Sequence, residues 1–254
     1  MTFLESLFSL DGRTPLVTGA RTGLGAAIAV GLAGAGADLV LLGHGGDFSV
    51  VCKEIEAFGR AATVVNVDLE VPENVAAAAA RVLDGHRIDI LVNNAGIIRR
   101  GDAVDHSYAD WTTVRAVNLD SVFELTRVVA GPMLDQRLGK IINIASVLSF
   151  QGGIRVPGYT ATKHAVAGLT KAWANEWAPH NVQVNAIAPG YFSTNNTAPL
   201  RADQQRYQQV LERIPAGRWG EPGDLAGAAV FLASPASDYL NGHILAVDGG
   251  WLSG

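Results

Sequence analysis

Tyr159 and Lys163 stand four positions apart, which on a helix puts them one turn apart on the same face. A phenol beside an ammonium is a candidate proton donor and acceptor. Free tyrosine titrates near 10 and is a poor base at neutral pH. An ammonium about 4 Å away, at an effective dielectric near 20, favours the phenolate by about 4 kcal/mol before desolvation. That is worth up to about three pH units, enough to bring Tyr159 close to 7. By composition alone, such a pair arises in roughly every second chain of this size. Position adds weight. Ser146 lies just past a strand-like run and Asn118 lies in the helical stretch before it. Open α/β sheets place their sites at such strand ends.

A second constellation sits near the start of the chain, in Thr18-Gly19-Ala20-Arg21-Thr22-Gly23-Leu24-Gly25. Glycines between a strand and a helix allow a tight turn and close approach of the backbone to a pyrophosphate. The helix N-terminus then offers free N–H groups to the phosphates. Other chemistries find little support. The six histidines show no metal-ligand spacing, and the lone Cys52 permits neither an internal disulfide nor a thiolate cluster. No Gly-x-Ser-x-Gly elbow marks a hydrolase.

The elements that must hold these residues alternate. Pro15–Thr18, Leu39–Leu42, Ala62–Val67, Ile88–Val92, Lys140–Ala145, Val182–Ile187 and Ile244–Val247 read as strands. Helical patterns cover Gly23–Ala35, Val50–Phe58, Pro72–Leu83, Trp111–Leu134 and Tyr159–Pro179. Apolar strands alternating with helices imply a parallel sheet covered on both faces. With no repeat or linker, residues 1–254 are expected to form a single α/β domain, a doubly wound Rossmann-type sheet. The composition, 48% hydrophobic and 17% charged, supplies the core.

The spacing Gly-x-x-x-Gly-x-Gly departs from the usual Gly-x-Gly-x-x-Gly and resembles that of the short-chain dehydrogenase/reductases. Further family marks follow in order: Asp68-Leu69, Asn93-Asn94-Ala95-Gly96 and Pro189-Gly190, with Thr194 close behind. The resemblance runs from Thr18 to Gly250. It implies an NAD(P)-dependent oxidoreductase with Asn118, Ser146, Tyr159 and Lys163 as catalytic tetrad. Tyr159 would exchange the substrate's hydroxyl proton, Ser146 would hold the oxygen, and Lys163 would also bind the ribose. Asn118 would hold a relay water. Gly19, Arg21, Thr22, Gly23, Leu24, Gly25 and His44 would contact the dinucleotide. Asp68 and Leu69 would flank the adenine; Asn94, Ala95, Gly96, Pro189, Gly190 and Thr194 would lie towards the nicotinamide. The family's helices around Asn118 and Tyr159 pack on symmetry mates, which implies a homotetramer.

An acid at the end of the second strand would bind the ribose hydroxyls, and an arginine would favour a 2′-phosphate. Here Gly43-His44 departs from both patterns, while Asp47 follows and Arg21 could reach a phosphate. The expected cofactor is NAD, with NADP left open. Several strings, among them Leu91-Val-Asn-Asn-Ala-Gly-Ile-Ile-Arg-Arg100 and Ser146-Val-Leu-Ser-Phe-Gln-Gly-Gly-Ile-Arg155, resemble the family's sugar-acid dehydrogenases of uronate breakdown. A sugar acid needs a carboxylate partner and hydroxyl partners. Arg155 is the first choice for the carboxylate, then Arg99, with Arg100 the third candidate. Gln151 and Tyr191 join Ser146 as further substrate contacts. Another hydroxy acid or an acyl thioester remains open as substrate; so does a dinucleotide sensor without turnover, which the intact tetrad disfavours. The net charge of −5 disfavours nucleic acid and anionic membrane surfaces. Met1–Leu10 makes a poor signal peptide, so a cytoplasmic protein is expected.

Overall fold

The computed structural model describes residues 2–254. Seven parallel strands form one sheet: β1 Pro15–Thr18, β2 Leu39–Gly43, β3 Ala62–Asn66, β4 Ile90–Asn93, β5 Gly139–Ile144, β6 Val182–Pro189 and β7 Ile244–Val247. Their order is β3-β2-β1-β4-β5-β6-β7. The chain builds outward from β1 to β3, then crosses back to lay β4 against β1 in register Leu16↔Leu91. The two halves diverge there, and such a switch point opens a crevice at the carboxyl ends of the strands.

Strands β1, β2, β4, β5 and β6 are buried at every position, as strands covered on both faces must be. One face carries α2 Gly23–Gly34, α3 Ser49–Glu56 and α10 Ala226–Ala233, closing a core around Ile28, Leu32, Leu41, Ile55 and Leu232. The other carries α4 Pro72–Gly85, α6 Ser121–Gln136 and α7 Pro157–Trp177, around Leu16, Val75, Leu125, Met133, Trp173 and Trp177. Each fully buried Leu or Ile contributes about 1.5–3 kcal/mol, so these layers hold the strand ends rigidly. Polar residues add a fixed register inside. The Asn93 amide donates to Thr126 (2.9 Å) and Asn143 (2.8 Å), and Asn143 donates to Thr170 (2.9 Å), tying β4 and β5 to α6 and α7.

Two features depart from the sequence expectation. The helical stretch expected over Trp111–Leu134 is α5 Tyr108–Arg115 and α6, joined by a wider five-residue turn of π geometry, Ala116–Asp120. Such turns carry an extra residue and recur at functional sites; this one holds Asn118. The second departure is a set of short helices that the sequence reading did not mark, namely α1 Phe3–Phe8, α8 Ala198–Ala202, α9 Gln204–Leu211 and α10. In α10, the sequence AGAAVFLA is apolar all round, so it has no amphipathic signal to read. No helix of the described residues is long and apolar enough to cross a membrane.

Candidate active site

A cleft of about 400 Å³ opens at the switch point. The turn from β1 into α2 forms its floor at one end through Gly19, Thr22, Gly23, Leu24 and Gly25. A Cβ at Gly25 would stand 2.3 Å from the Gly19 carbonyl oxygen, so only glycine lets α2 pack this closely on the turn. The Asn94 amide fastens the same turn by donating to the carbonyls of Thr18 (2.9 Å) and Gly19 (3.2 Å). His44, Asp68, Leu69, Asn94, Ala95, Gly96, Pro189, Gly190 and Thr194 complete the expected wall. Ile97, Ile98, Phe192 and Thr197 also line it, without any chemical mark in the sequence to announce them. The free N–H groups of α2 and the glycine floor fit a pyrophosphate. The cleft as a whole fits a dinucleotide.

At the other end Ser146, Tyr159 and Lys163 line the cleft, while Asn118 is buried and not among its lining residues. The π turn points the buried Asn118 amide at the Ile97 backbone, accepting from its N–H (2.8 Å) and donating to its carbonyl (3.0 Å). Ser146 follows β5 and accepts from the Leu148 N–H (3.1 Å). Tyr159 and Lys163 share one face of α7 and both border the cleft, with Lys163 Nζ 5.6 Å from the tyrosine ring centre. Nζ donates to the Ile144 carbonyl at 2.5 Å.

The expected pKa of Tyr159 needs correction. Burial pushes the phenol above its ordinary value; a hydrogen bond with Ser146 and the Arg100 charge pull it down, and Tyr191 raises it. Lys163 is itself only 4% exposed, and burial lowers it to about 8. Its ammonium is spent on a carbonyl, and desolvation of both partners outweighs their attraction. Tyr159 as a residue is only half-buried because its ring lines an open cleft, so water moderates the upward push. At neutral pH the phenol is protonated.

The candidate substrate residues separate. Arg155 pairs with Asp102 at 3.0 Å and Arg99 with Asp110 at 3.5 Å, all four solvent-exposed. Arg99, Arg100, Gln151 and Arg155 all lie outside the cleft lining, and ion pairs engage Arg99 and Arg155. Arg155 also takes a left-handed backbone conformation (φ 63°), with its carbonyl accepting from the Gly101 N–H. Arg100 behaves differently. It donates to the Asn196 carbonyl at 2.8 Å, on the segment that closes the cleft. Although the residue is exposed by surface area, its guanidinium is desolvated enough for its pKa to fall, with attraction to Tyr159 opposing. Tyr191 packs against Trp251 (4.5 Å) and Trp219 (5.6 Å), beside the cleft and not among its lining residues. Arg21 also stands outside the lining, over the glycines that follow β2.

A family model described as enoyl-(acyl carrier protein) reductase matches residues 19–252. The chain is a short-chain dehydrogenase/reductase. It is 57% identical, over the full length of both chains, to 2-dehydro-3-deoxy-D-gluconate 5-dehydrogenase of Bacillus subtilis. A crystal structure from Agrobacterium tumefaciens, described as a 2-deoxy-D-gluconate 3-dehydrogenase with bound NADP, is 55% identical (TM-score 0.92). The match covers 97% of this chain and 99% of that one. A gluconate 5-dehydrogenase from Burkholderia cenocepacia, in complex with NADP and tartrate, is 41% identical over 99% of each chain (TM-score 0.94). This short-chain dehydrogenase/reductase is therefore an oxidoreductase that works with a nicotinamide adenine dinucleotide, NAD(P).

Proposed function

We propose that the enzyme reversibly oxidises a secondary alcohol of a sugar acid of the 2-dehydro-3-deoxy-gluconate or 2-deoxy-gluconate class, in uronate breakdown. The single observation that carries the choice of an acid is Arg100, a guanidinium electrostatically coupled to Tyr159 and hydrogen-bonded to the segment closing the cleft. A carboxylate entering a partly dry site must be paired, since an unpaired buried charge costs several kcal/mol. Arg100, in place of Arg155, is the residue we assign to that carboxylate. The likeness to relatives that carry these substrates in their names supports the same class.

Bound in the cleft, the dinucleotide accepts or supplies the hydride. The remaining chemistry falls to the chain's own groups. In reduction, protonated Tyr159 donates its hydroxyl proton to the carbonyl oxygen while Ser146 Oγ donates a hydrogen bond to the same atom. In oxidation, Tyr159 must first lose its proton, and Ser146 and Arg100 both lower that barrier. Lys163, held by the Ile144 carbonyl, places a cation beneath the tyrosine ring and toward the ribose end. Asn118, with its amide fixed on Ile97, anchors the site's floor and a relay for the outgoing proton.

An absorbance screen at 340 nm tests the substrate class, with both dinucleotides against aldonic acids, deoxy-ketoaldonic acids and neutral polyols. Turnover of neutral polyols equal to that of the acids would sink the carboxylate assignment. The homotetramer belongs to the same reading. Phe123, 42% exposed and stacked on Trp173, lines an apolar hollow with Leu119, Leu169 and Ala172 on the α6 and α7 face. Sedimentation showing a monomer at micromolar concentration would exclude it. We place the protein in the cytoplasm, with the dinucleotide pool.

A further inference from the structure

The wall that follows Ser146 carries polar groups that the hydride and proton chemistry does not use. Val147 and Leu148 pack into one cluster with Tyr191, Trp219 and Trp251, and α9 closes over it through Tyr207 and Val210. Tyr207 stacks on Trp219 at 5.5 Å, with 7° between the rings. Trp219 and Trp251 are 5% and 4% exposed, and among the described residues neither indole Nε1 has a hydrogen-bond partner. A donor buried in this way is costly, and each indole calls for an acceptor that the chain does not supply. Both indoles pack on Tyr191.

Two guanidiniums border the same cluster. Arg213, in the turn after α9, holds its Cζ 4.0 Å from the centre of the Trp251 ring. Arg206, on α9, is half-buried and donates to the neutral side chain of Gln209 at 2.8 Å. Both charges act on Tyr191, pulling its phenol down against the upward push of burial. Among the described residues neither arginine takes part in an ion pair, whereas Arg218 nearby is held by Asp224 at 2.6 Å. Asp203 is spent on the start of α9, where it accepts from the Arg206 N–H.

Tyr191 is electrostatically coupled to Tyr159, which the Arg100 charge also reaches. Two separate sets of unneutralised positive charge therefore act around the reacting phenol. Arg100 comes from the loop after β4, and Arg206 and Arg213 come from the segment after β6. A monocarboxylic sugar acid neutralises one set and leaves the other. We propose that Arg206, Arg213, Tyr191 and the two indole N–H groups form a second anion position, so that the enzyme accepts dicarboxylic sugar acids, with one carboxylate at Arg100 and the other here. The proposal rests on the sugar-acid reading of the cleft and extends it. The hydride and proton transfers are unchanged, and Arg206 and Arg213 become specificity-determining residues for the far end of the substrate.

The test compares 2-deoxy-gluconate, gluconate and glucarate, the last being the dicarboxylic counterpart of gluconate, on the enzyme saturated with dinucleotide. Initial rates at 340 nm and mutual inhibition give the affinity for each acid. In about 50 mM salt, glucarate is expected to bind at least about tenfold more tightly than gluconate, the scale of one charge-assisted hydrogen bond. Arg206→Met and Arg213→Met keep the aliphatic packing, and each should lower the glucarate-to-gluconate affinity ratio about tenfold. Arg100→Ala should weaken both acids. Because α9 closes the position, glucarate must move it away from Trp219, so glucarate should change the tryptophan emission and Trp219→Phe should remove that change. Equal affinity for glucarate and gluconate in the wild type would overturn the second anion position while leaving the sugar-acid reading intact, as would arginine variants that leave the ratio unchanged. Binding of none of the three acids would overturn the two readings together.

Discussion

Replacing Lys163 with methionine should stabilise the protein at neutral pH while destroying its activity. The lysine is 4% exposed, its ammonium donates to the Ile144 carbonyl at 2.5 Å, and burial lowers its pKa from 10.5 to about 8. Below pH 8 the group is protonated whether the chain is folded or not, and the full cost of burying the charge is present. Between about 8 and 10.5 the folded lysine is neutral while the unfolded one still holds its proton, so wild-type stability rises with pH. Above both values the cost is gone. A gap of about 2.5 pH units at 1.36 kcal/mol each sets it at about 3 kcal/mol. Methionine of similar length avoids that cost but leaves the Ile144 carbonyl without its donor, which forfeits about 1–3 kcal/mol. The net gain at pH 7 is therefore small, and its pH dependence is the sharper readout. The variant-minus-wild-type difference should fall by about 2–3 kcal/mol between pH 7 and 10, measured by urea unfolding at one protein concentration. A difference that stays flat, or widens with pH, would refute the buried-cation argument.

Tyr159→Phe should lower kcat by about 10²-fold or more while dinucleotide affinity stays within about twofold; retention of a tenth of wild-type kcat would exclude Tyr159 as the acid/base. Arg100→Ala should raise KM for the acid substrate by about tenfold or more, and leave a neutral analogue little changed. Because Arg100 lowers the Tyr159 pKa, the same variant should move the rising limb of the oxidation pH profile to higher pH. Arg155→Ala, with its guanidinium on Asp102 at the rim, should do neither, and an equal loss there would return the carboxylate to Arg155. Asp47→Ala should weaken the start of α3 without changing the ratio of NADPH to NADH affinity, since its oxygens serve Ser49. Gly25→Ala should reduce both thermal stability and dinucleotide binding, as the added methyl meets the Gly19 carbonyl.

The strands were legible because burial on both faces leaves uninterrupted apolar runs, bounded here by Gly, Asp and Asn. All seven runs expected from the sequence are strands of the sheet. The glycine loop and the Tyr-x-x-x-Lys pair were legible for a related reason: local backbone geometry dictates their spacing, so the spacing survives in one dimension. The π turn at Ala116–Asp120 was not, because one extra residue per turn leaves the surrounding helical pattern nearly unchanged. Nor was α10, whose alanines and glycine carry no moment to orient it. Ile97, Ile98 and Phe192 reach the cleft through the path of loops after β4 and β6, which periodicity does not describe.

The deeper gap lies in electrostatics, where sequence separation is a poor guide to who meets whom. Lys163 stands one helical turn from Tyr159 and was expected to set its pKa, yet its ammonium turns to a β5 carbonyl and is itself half-titrated by burial near pH 8. The cation that does act on the phenol is Arg100, fifty-nine positions away along the chain and brought in by the loop after β4. Three arginines, Arg99, Arg100 and Arg155, offered the same charge at similar strand ends. What separates them is the supply of partners: Asp110 and Asp102 take the outer two, and among the described residues no carboxylate takes the third. An arginine bonded only to a carbonyl keeps its full charge available for an anion. That leaves Arg100 with two roles that oppose each other in time. Before an acid arrives, its charge favours the Tyr159 phenolate; once a carboxylate neutralises it, the phenol's pKa rises and proton donation becomes harder to reverse. An acid substrate should therefore shift the tyrosine's apparent pKa upward on binding, and a neutral analogue should not. Comparing the pH profiles of kcat and kcat/KM separates the two, because the first reports the bound enzyme and the second the free one. Identical profiles with the acid would mean that the carboxylate never reaches Arg100.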